Sequence, residues 1–254
     1  IEAYDFVIAI DETFASSYFN KANSYANMGM YREAINFYRQ TFLYEEPEAV
    51  TYFYIGECYQ KLDKHTDAVK SFLKSIEFDP VFADAWLEMG VSYDQIDNQH
   101  DAIRSVEKAI SIEQDNMDYI YVLAGILAKT NRIKDAEKAF KKVISSSSVT
   151  PDVYLDYARM VEENRSINEA IKILHEAELK FRDNPLLIFR LSAYNFISGM
   201  KKEALLLFEN ALHLDYDKYT EVIPYAPKML EDSEVINILE NVGNEIQKKP
   251  RKRN

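Results

Sequence analysis

Cysteine is nearly absent: the 254 residues hold one, Cys58, so no disulfide can close within the chain and no thiolate cluster can bind a metal. Glycine is scarce as well, six in all, and none falls in the spacing of a phosphate loop or a dinucleotide fingerprint. The four histidines, His65, His100, His175 and His213, stand far apart with no partner at metal-ligand spacing. No nucleophile, base and orienting acid form a recognisable set, so catalytic residues, cofactor and metal are all expected to be lacking and an enzyme is not expected. Basic charge is in deficit, with 30 Lys and Arg against 42 Asp and Glu and a formal net charge of −12. A nucleic acid, whose phosphates need several well-placed cations, is therefore not the expected main partner. No stretch approaches the roughly 20 consecutive apolar residues that cross a bilayer. The opening IEAYDFVIAIDE carries acids where a secretory signal carries bases. These absences predict a cytoplasmic chain that does not enter a membrane.

What the chain has is periodicity. Ala34, Ala68, Ala102, Ala136, Ala170 and Ala204 recur every 34 residues, a register that only an internally repeated fold keeps. Framed as residues 15–48, 49–82, 83–116, 117–150, 151–184 and 185–218, the units place these alanines at position 20. Position 8 is small throughout (Ala22, Gly56, Gly90, Ala124, Ala158, Ser192), and position 24 is large and apolar (Tyr38, Phe72, Val106, Phe140, Leu174, Phe208). Helices approach to about 8 Å only where a small side chain faces the partner, so positions 8 and 20 predict two tightly packed helices per unit. Position 15 holds Gly29, Asp63, Asp97, Asn131 and Gly199, residues that tolerate the left-handed turn ending a helix, with Arg165 as the exception.

An aromatic or large residue at position 4 (Tyr18, Tyr52, Trp86, Ile120, Tyr154, Ile188), a small one at 8, tyrosine at 11 in the first three units, and alanine at 20 together resemble the tetratricopeptide repeat. The resemblance covers residues 15–218 without an insertion. It implies an all-α, right-handed superhelical solenoid of helix-turn-helix repeats, and it is closest in character to stand-alone bacterial repeat scaffolds. In that family the first helices line a concave groove, with positions 2, 5, 9 and 12 facing into it. The resemblance therefore implies a protein or peptide ligand and a binding groove of Phe19, Phe53, Leu87, Tyr121, Leu155 and Phe189 at position 5. Asn23, Glu57 and Arg159 at position 9 join them, with Asp84, Asp118 and Asp152 at position 2. An apolar stripe rimmed by acids suits a ligand carrying apolar anchors and basic residues. The carboxylate clamp of chaperone-docking members is not matched: only Asn23 is present, and Phe19, Tyr54, Asp84 and Glu88 stand in the other slots.

The ends depart from the pattern. Residues 1–14 read as the second helix of a truncated earlier repeat, which predicts a longer parent chain. Residues 219–247 read as a segment kinked at Pro224 and Pro227, followed by a capping helix. Residues 248–254 form a basic tail expected to be disordered; it concentrates five basic side chains, whereas residues 1–247 carry 25 against 42 acids, a formal −17. The function expected is a non-enzymatic scaffold that binds a peptide or partner domain in its groove. The alternative is a regulatory or oligomerising repeat domain of a larger protein whose effector part is absent.

Overall fold

The computed structural model describes residues 1–248, which are helical with no strand among them. The chain divides into two compact units, residues 1–139 and 140–254. The first unit begins with α1 (Glu2–Ile10) and continues through α2 (Ala15–Asn27), α3 (Tyr31–Thr41), α4 (Ala49–Lys61), α5 (His65–Phe78), α6 (Ala83–Gln95), α7 (Gln99–Ile112) and α8 (Met117–Lys129); the division falls within α9 (Ile133–Ile144). The second unit holds α10 (Pro151–Asn164), α11 (Ile167–Lys180), α12 (Pro185–Ile197) and α13 (Lys201–Leu214). Two short 3-10 segments, Tyr216–Val222 and Pro227–Glu231, lead to α14 (Ser233–Lys248). In the first unit α2 packs on α3, α4 on α5 and α6 on α7; in the second, α10 packs on α11 and α12 on α13.

The two small columns set how closely each pair closes. All six alanines at position 20 are fully buried. Facing them, a Cβ added to Gly90 would lie 3.0 Å from the Ala102 carbonyl oxygen and 2.6 Å from Val106, and one added to Gly56 would lie 2.5 Å from the Phe72 ring. Position 8 thus abuts the backbone at position 20 and the large residue at position 24 of the same unit. Ser192 uses this proximity, donating from its hydroxyl to the Ala204 carbonyl at 2.7 Å. With the backbones this close, Tyr38, Phe72, Val106, Phe140, Leu174 and Phe208 are buried and fill the space between helices.

Each pair is joined by the same hydrogen bond. The position-16 amide donates to the position-11 carbonyl in Met30 to Tyr25, Lys64 to Tyr59, Asn98 to Tyr93, Arg132 to Leu127 and Met200 to Asn195, at 2.9–3.0 Å. The intervening Gly29, Asp63, Asp97, Asn131 and Gly199 all have positive φ, from 57° to 84°. This is the left-handed geometry that closes a helix end, tolerated by glycine and by short polar side chains. At Arg165 the backbone stays at φ −140°, and Ser166 still reaches the Val161 carbonyl, at a longer 3.2 Å. Ser166 then caps α11 by accepting from the Asn168 amide.

The last helix closes the apolar side of α13. Val222, Met229, Val235 and Val242 are buried there, Lys201 pairs with Asp232 at 2.7 Å and Glu234 at 2.9 Å, and the Tyr216 hydroxyl donates to the Leu239 carbonyl. Pro227 begins the second 3-10 segment, a position where its missing amide costs nothing. Ile246, on the apolar stripe of this helix by spacing, is exposed. The basic tail, apart from Lys248, lies outside the described residues.

Enlarging a position-20 side chain tests the close approach. Ala68→Leu is expected to cost about 1–3 kcal/mol by overpacking, read as a lowered thermal midpoint; an unchanged midpoint would show that the column is not at the helix contact.

Candidate peptide-binding face

The first helices of the first unit form one layer, since α6 touches both α4 and α8. Side chains spaced three and four apart on each helix share a face, which places Phe53, Glu57 and Gln60 of α4, Asp84, Leu87 and Asp94 of α6, and Asp118 and Tyr121 of α8 along this layer. Phe19, Phe53, Leu87 and Tyr121 are half-buried there. Asp118 lies exposed in the first turn of α8, whose N-cap Asn116 accepts from the Asp118 amide at 3.1 Å. An acid in that turn also favours the helix dipole, whatever the face binds.

Polar links run between the helices of the layer. The Gln60 amide reaches the Glu88 carboxylate at 2.9 Å, the Glu88 carbonyl at 3.1 Å and the Ser92 hydroxyl at 3.0 Å. The Tyr119 hydroxyl donates to Asp84 at 2.6 Å. Burial, reinforced by that carboxylate, pushes the Tyr119 phenol well above its usual range. Lys129 pairs with the buried Asp94 at 2.5 Å. Asp84 therefore straps α6 to α8 besides facing outward, a structural duty its sequence position does not announce.

Negative charge is crowded on α4 and α6. Glu57 is half-buried, and its carboxyl is pushed up first by burial and then by Glu88 and Asp84, with Lys61 opposing them. Burial also pushes the neighbouring Cys58 thiol up to about 12, so this side chain is a packing group with little thiolate character.

The structure corrects the expected continuous stripe at position 5. Phe189 is fully buried, its ring 5.8 Å from Phe208, and Leu155 is buried as well, so neither presents a surface to a ligand. The same contact recurs where the ring is half-exposed: Phe19 lies 5.5 Å from Tyr38 and Phe53 lies 5.8 Å from Phe72. Position 5 covers position 24 of its own helix pair, and only in the first unit does part of the ring remain accessible. Asn23 accepts from the Tyr38 hydroxyl and is likewise engaged inside its repeat. Of the remaining expected residues, Asp152 is exposed in the first turn of α10, and Arg159 pairs with Asp156 at 2.9 Å on the same helix. Gln60, absent from the expected site, is the residue that ties α4 to α6; its position 12 was the available signal.

A family model described as Tetratricopeptide repeat matches residues 15–41, 49–82 and 83–116. The helix pairs, small columns and turn bonds run on through residue 214 in the same register. The chain carries tetratricopeptide repeats. Among solved structures, this repeat chain is similar to the C-terminal part of a TPR repeat-containing protein from Cytophaga hutchinsonii, with 17% identity over 94% of this chain and 92% of that one and a TM-score of 0.69. It is also similar to a MamA protein, at 23% identity over 66% of this chain and 92% of that one (TM-score 0.60). A third similar structure is YrrB, titled as a TPR protein with an unusual peptide-binding site, at 17% identity over 69% and 91% (TM-score 0.58). At these identities the likeness is one of fold. A comparison with curated proteins finds no match. No helix among the described residues is long and apolar enough to cross a membrane.

The crowded carboxylates of this repeat protein have a measurable consequence. Glu57 titrates higher in the folded chain than in the unfolded one, so its ionisation above that range costs the folded state, whereas below about pH 4.3 both states are protonated and the cost disappears. Glu57→Gln is expected to raise the thermal midpoint near neutral pH and to leave it unchanged at about pH 3. A lowered midpoint near neutral pH would show that the carboxylate already has a favourable partner in the free protein.

Proposed function

We propose that the chain is a non-enzymatic protein-interaction scaffold whose first-helix layer in residues 1–139 binds a peptide or partner segment carrying basic residues beside apolar anchors. The observation that carries this reading is Glu57, a half-buried carboxylate held against Glu88 and Asp84 with its titration pushed up. A ligand cation placed among these three groups relieves a repulsion that the free protein bears, and that relief contributes to affinity. Half-exposed Phe53, Leu87 and Tyr121 flank the acids and supply the apolar half of the recognition. Repeat membership and the fold shared with a protein titled for its peptide-binding site support an interaction role. Binding rests on a preformed surface, so little ordering of the scaffold is needed on association.

The contact set differs from the one that the family resemblance implies. Leu155 and Phe189 drop out as anchors because they are core, and Gln60 enters as a polar element between the acids. Asp152 remains available as an acidic position of the second unit.

Titrating the protein with a lysine-containing amphipathic peptide tests the reading. Binding is expected to tighten as pH rises through the Glu57 titration, because the ligand favours the ionised form. The triple variant Asp84→Asn, Glu88→Gln, Asp118→Asn is expected to lose about tenfold or more in affinity at low salt. Affinity independent of both pH and these substitutions would refute the basic-ligand assignment.

A further inference from the structure

A second acidic surface lies apart from the α4–α6 cluster, where α2 approaches α4. A cavity of about 470 Å³ opens there, lined by Phe19, Val50, Tyr54, Glu45, Glu46 and Glu48 among others. Its walls include the Phe19 and Tyr54 rings, which stand edge to face at 5.8 Å. Its rim carries three exposed glutamates from the segment joining α3 to α4, and none of the three has an ion pair or side-chain hydrogen bond among the described residues. This contrasts with Asp84 and Glu88, which already accept hydrogen bonds from Tyr119 and Gln60. A notch of mixed polar and aromatic lining beneath unpaired carboxylates suits a lysine or arginine side chain, whose aliphatic stem packs on the Phe19 and Tyr54 rings while its charged head meets the rim.

The chain itself contains such a ligand. Residues 248–253, Lys-Lys-Pro-Arg-Lys-Arg, carry five cations and no acid, against a formal −17 on residues 1–247. We propose that the notch between α2 and α4 receives the basic segment 248–253 of a second copy of this chain, making the protein self-associate through a heterologous contact. Unless two copies exchange segments reciprocally, a contact of this type propagates from one molecule to the next. The notch lies in the same first-helix layer and shares Phe19 with it, but it does not include the Glu57, Glu88 and Asp84 cluster on which the proposed function rests, so different residues test the two proposals.

Sedimentation velocity on the full chain across a concentration series tests this. At low salt the weight-average sedimentation coefficient is expected to rise with concentration, and salt of about 0.5 M is expected to suppress the rise. Neutralising the rim with Glu45→Gln, Glu46→Gln, Glu48→Gln, or neutralising the segment with Lys249→Gln, Arg251→Gln, Lys252→Gln, Arg253→Gln, is expected to weaken self-association roughly tenfold or more. Mixing the two variants is expected to restore association, because one supplies an intact notch and the other an intact segment, whereas neutralising exposed acids away from the notch with Glu163→Gln, Glu209→Gln is expected to leave it unchanged. A wild-type chain that sediments as a monomer throughout overturns the proposal. So does association indifferent to the rim glutamates, or a mixture that stays monomeric, which would assign the segment to its own chain or to another acidic partner.

Discussion

The fold depends on one steric condition: two helix backbones must meet where both side chains are small. Gly56 and Gly90 show how tight the condition is, since one added carbon at either would run into Phe72, or into Val106 and the Ala102 carbonyl. The buried alanines at position 20 supply the other half of the contact. Once the pair is closed, the ring or branched side chain at position 24 has a single place to go, and the core of each repeat is fixed. The turn serves the same end. A left-handed residue at position 15 and the amide bond from position 16 to the position-11 carbonyl set the distance at which the second helix starts.

Most of that framework was legible in the residues. The alanine column, the small residues at position 8 and the glycine or Asx residues at position 15 each specify a backbone requirement, and such requirements leave a residue-type signature. Arg165 was legible too, as an exception, and its backbone indeed avoids the left-handed region. Which side chains of the first helices reach solvent was not legible. Phe53 and Phe189 occupy the same repeat position and have the same chemistry, yet one is half-exposed and the other buried. Helical spacing marks a face, but what covers that face is decided by neighbours distant in sequence. The double role of Asp84 was hidden for the same reason, because its hydrogen-bond donor, Tyr119, lies 35 residues away.

The functional reading follows from how charge is distributed over this scaffold. Acids outnumber bases, and the structure keeps several of them close together on the first-helix layer instead of dispersing them. Such an arrangement costs folding free energy, and the cationic ligand proposed for this surface would recover it. Reactive chemistry has no comparable support: the one cysteine is buried with its thiol held protonated, and His65, His100 and His175 each lie beside a nearby carboxylate of their own segment.

The steric condition is most directly examined by a double-mutant cycle between Gly56 and Phe72, measured by denaturant unfolding. If the small residue exists to admit the large one, Gly56→Ala is destabilising beside Phe72 and better tolerated beside Phe72→Leu, so the pair couples by about 0.5–3 kcal/mol in favour of the double variant. Effects that add to within about 0.3–0.5 kcal/mol would show that the two positions are independent, and the account of how these helices pair would fail.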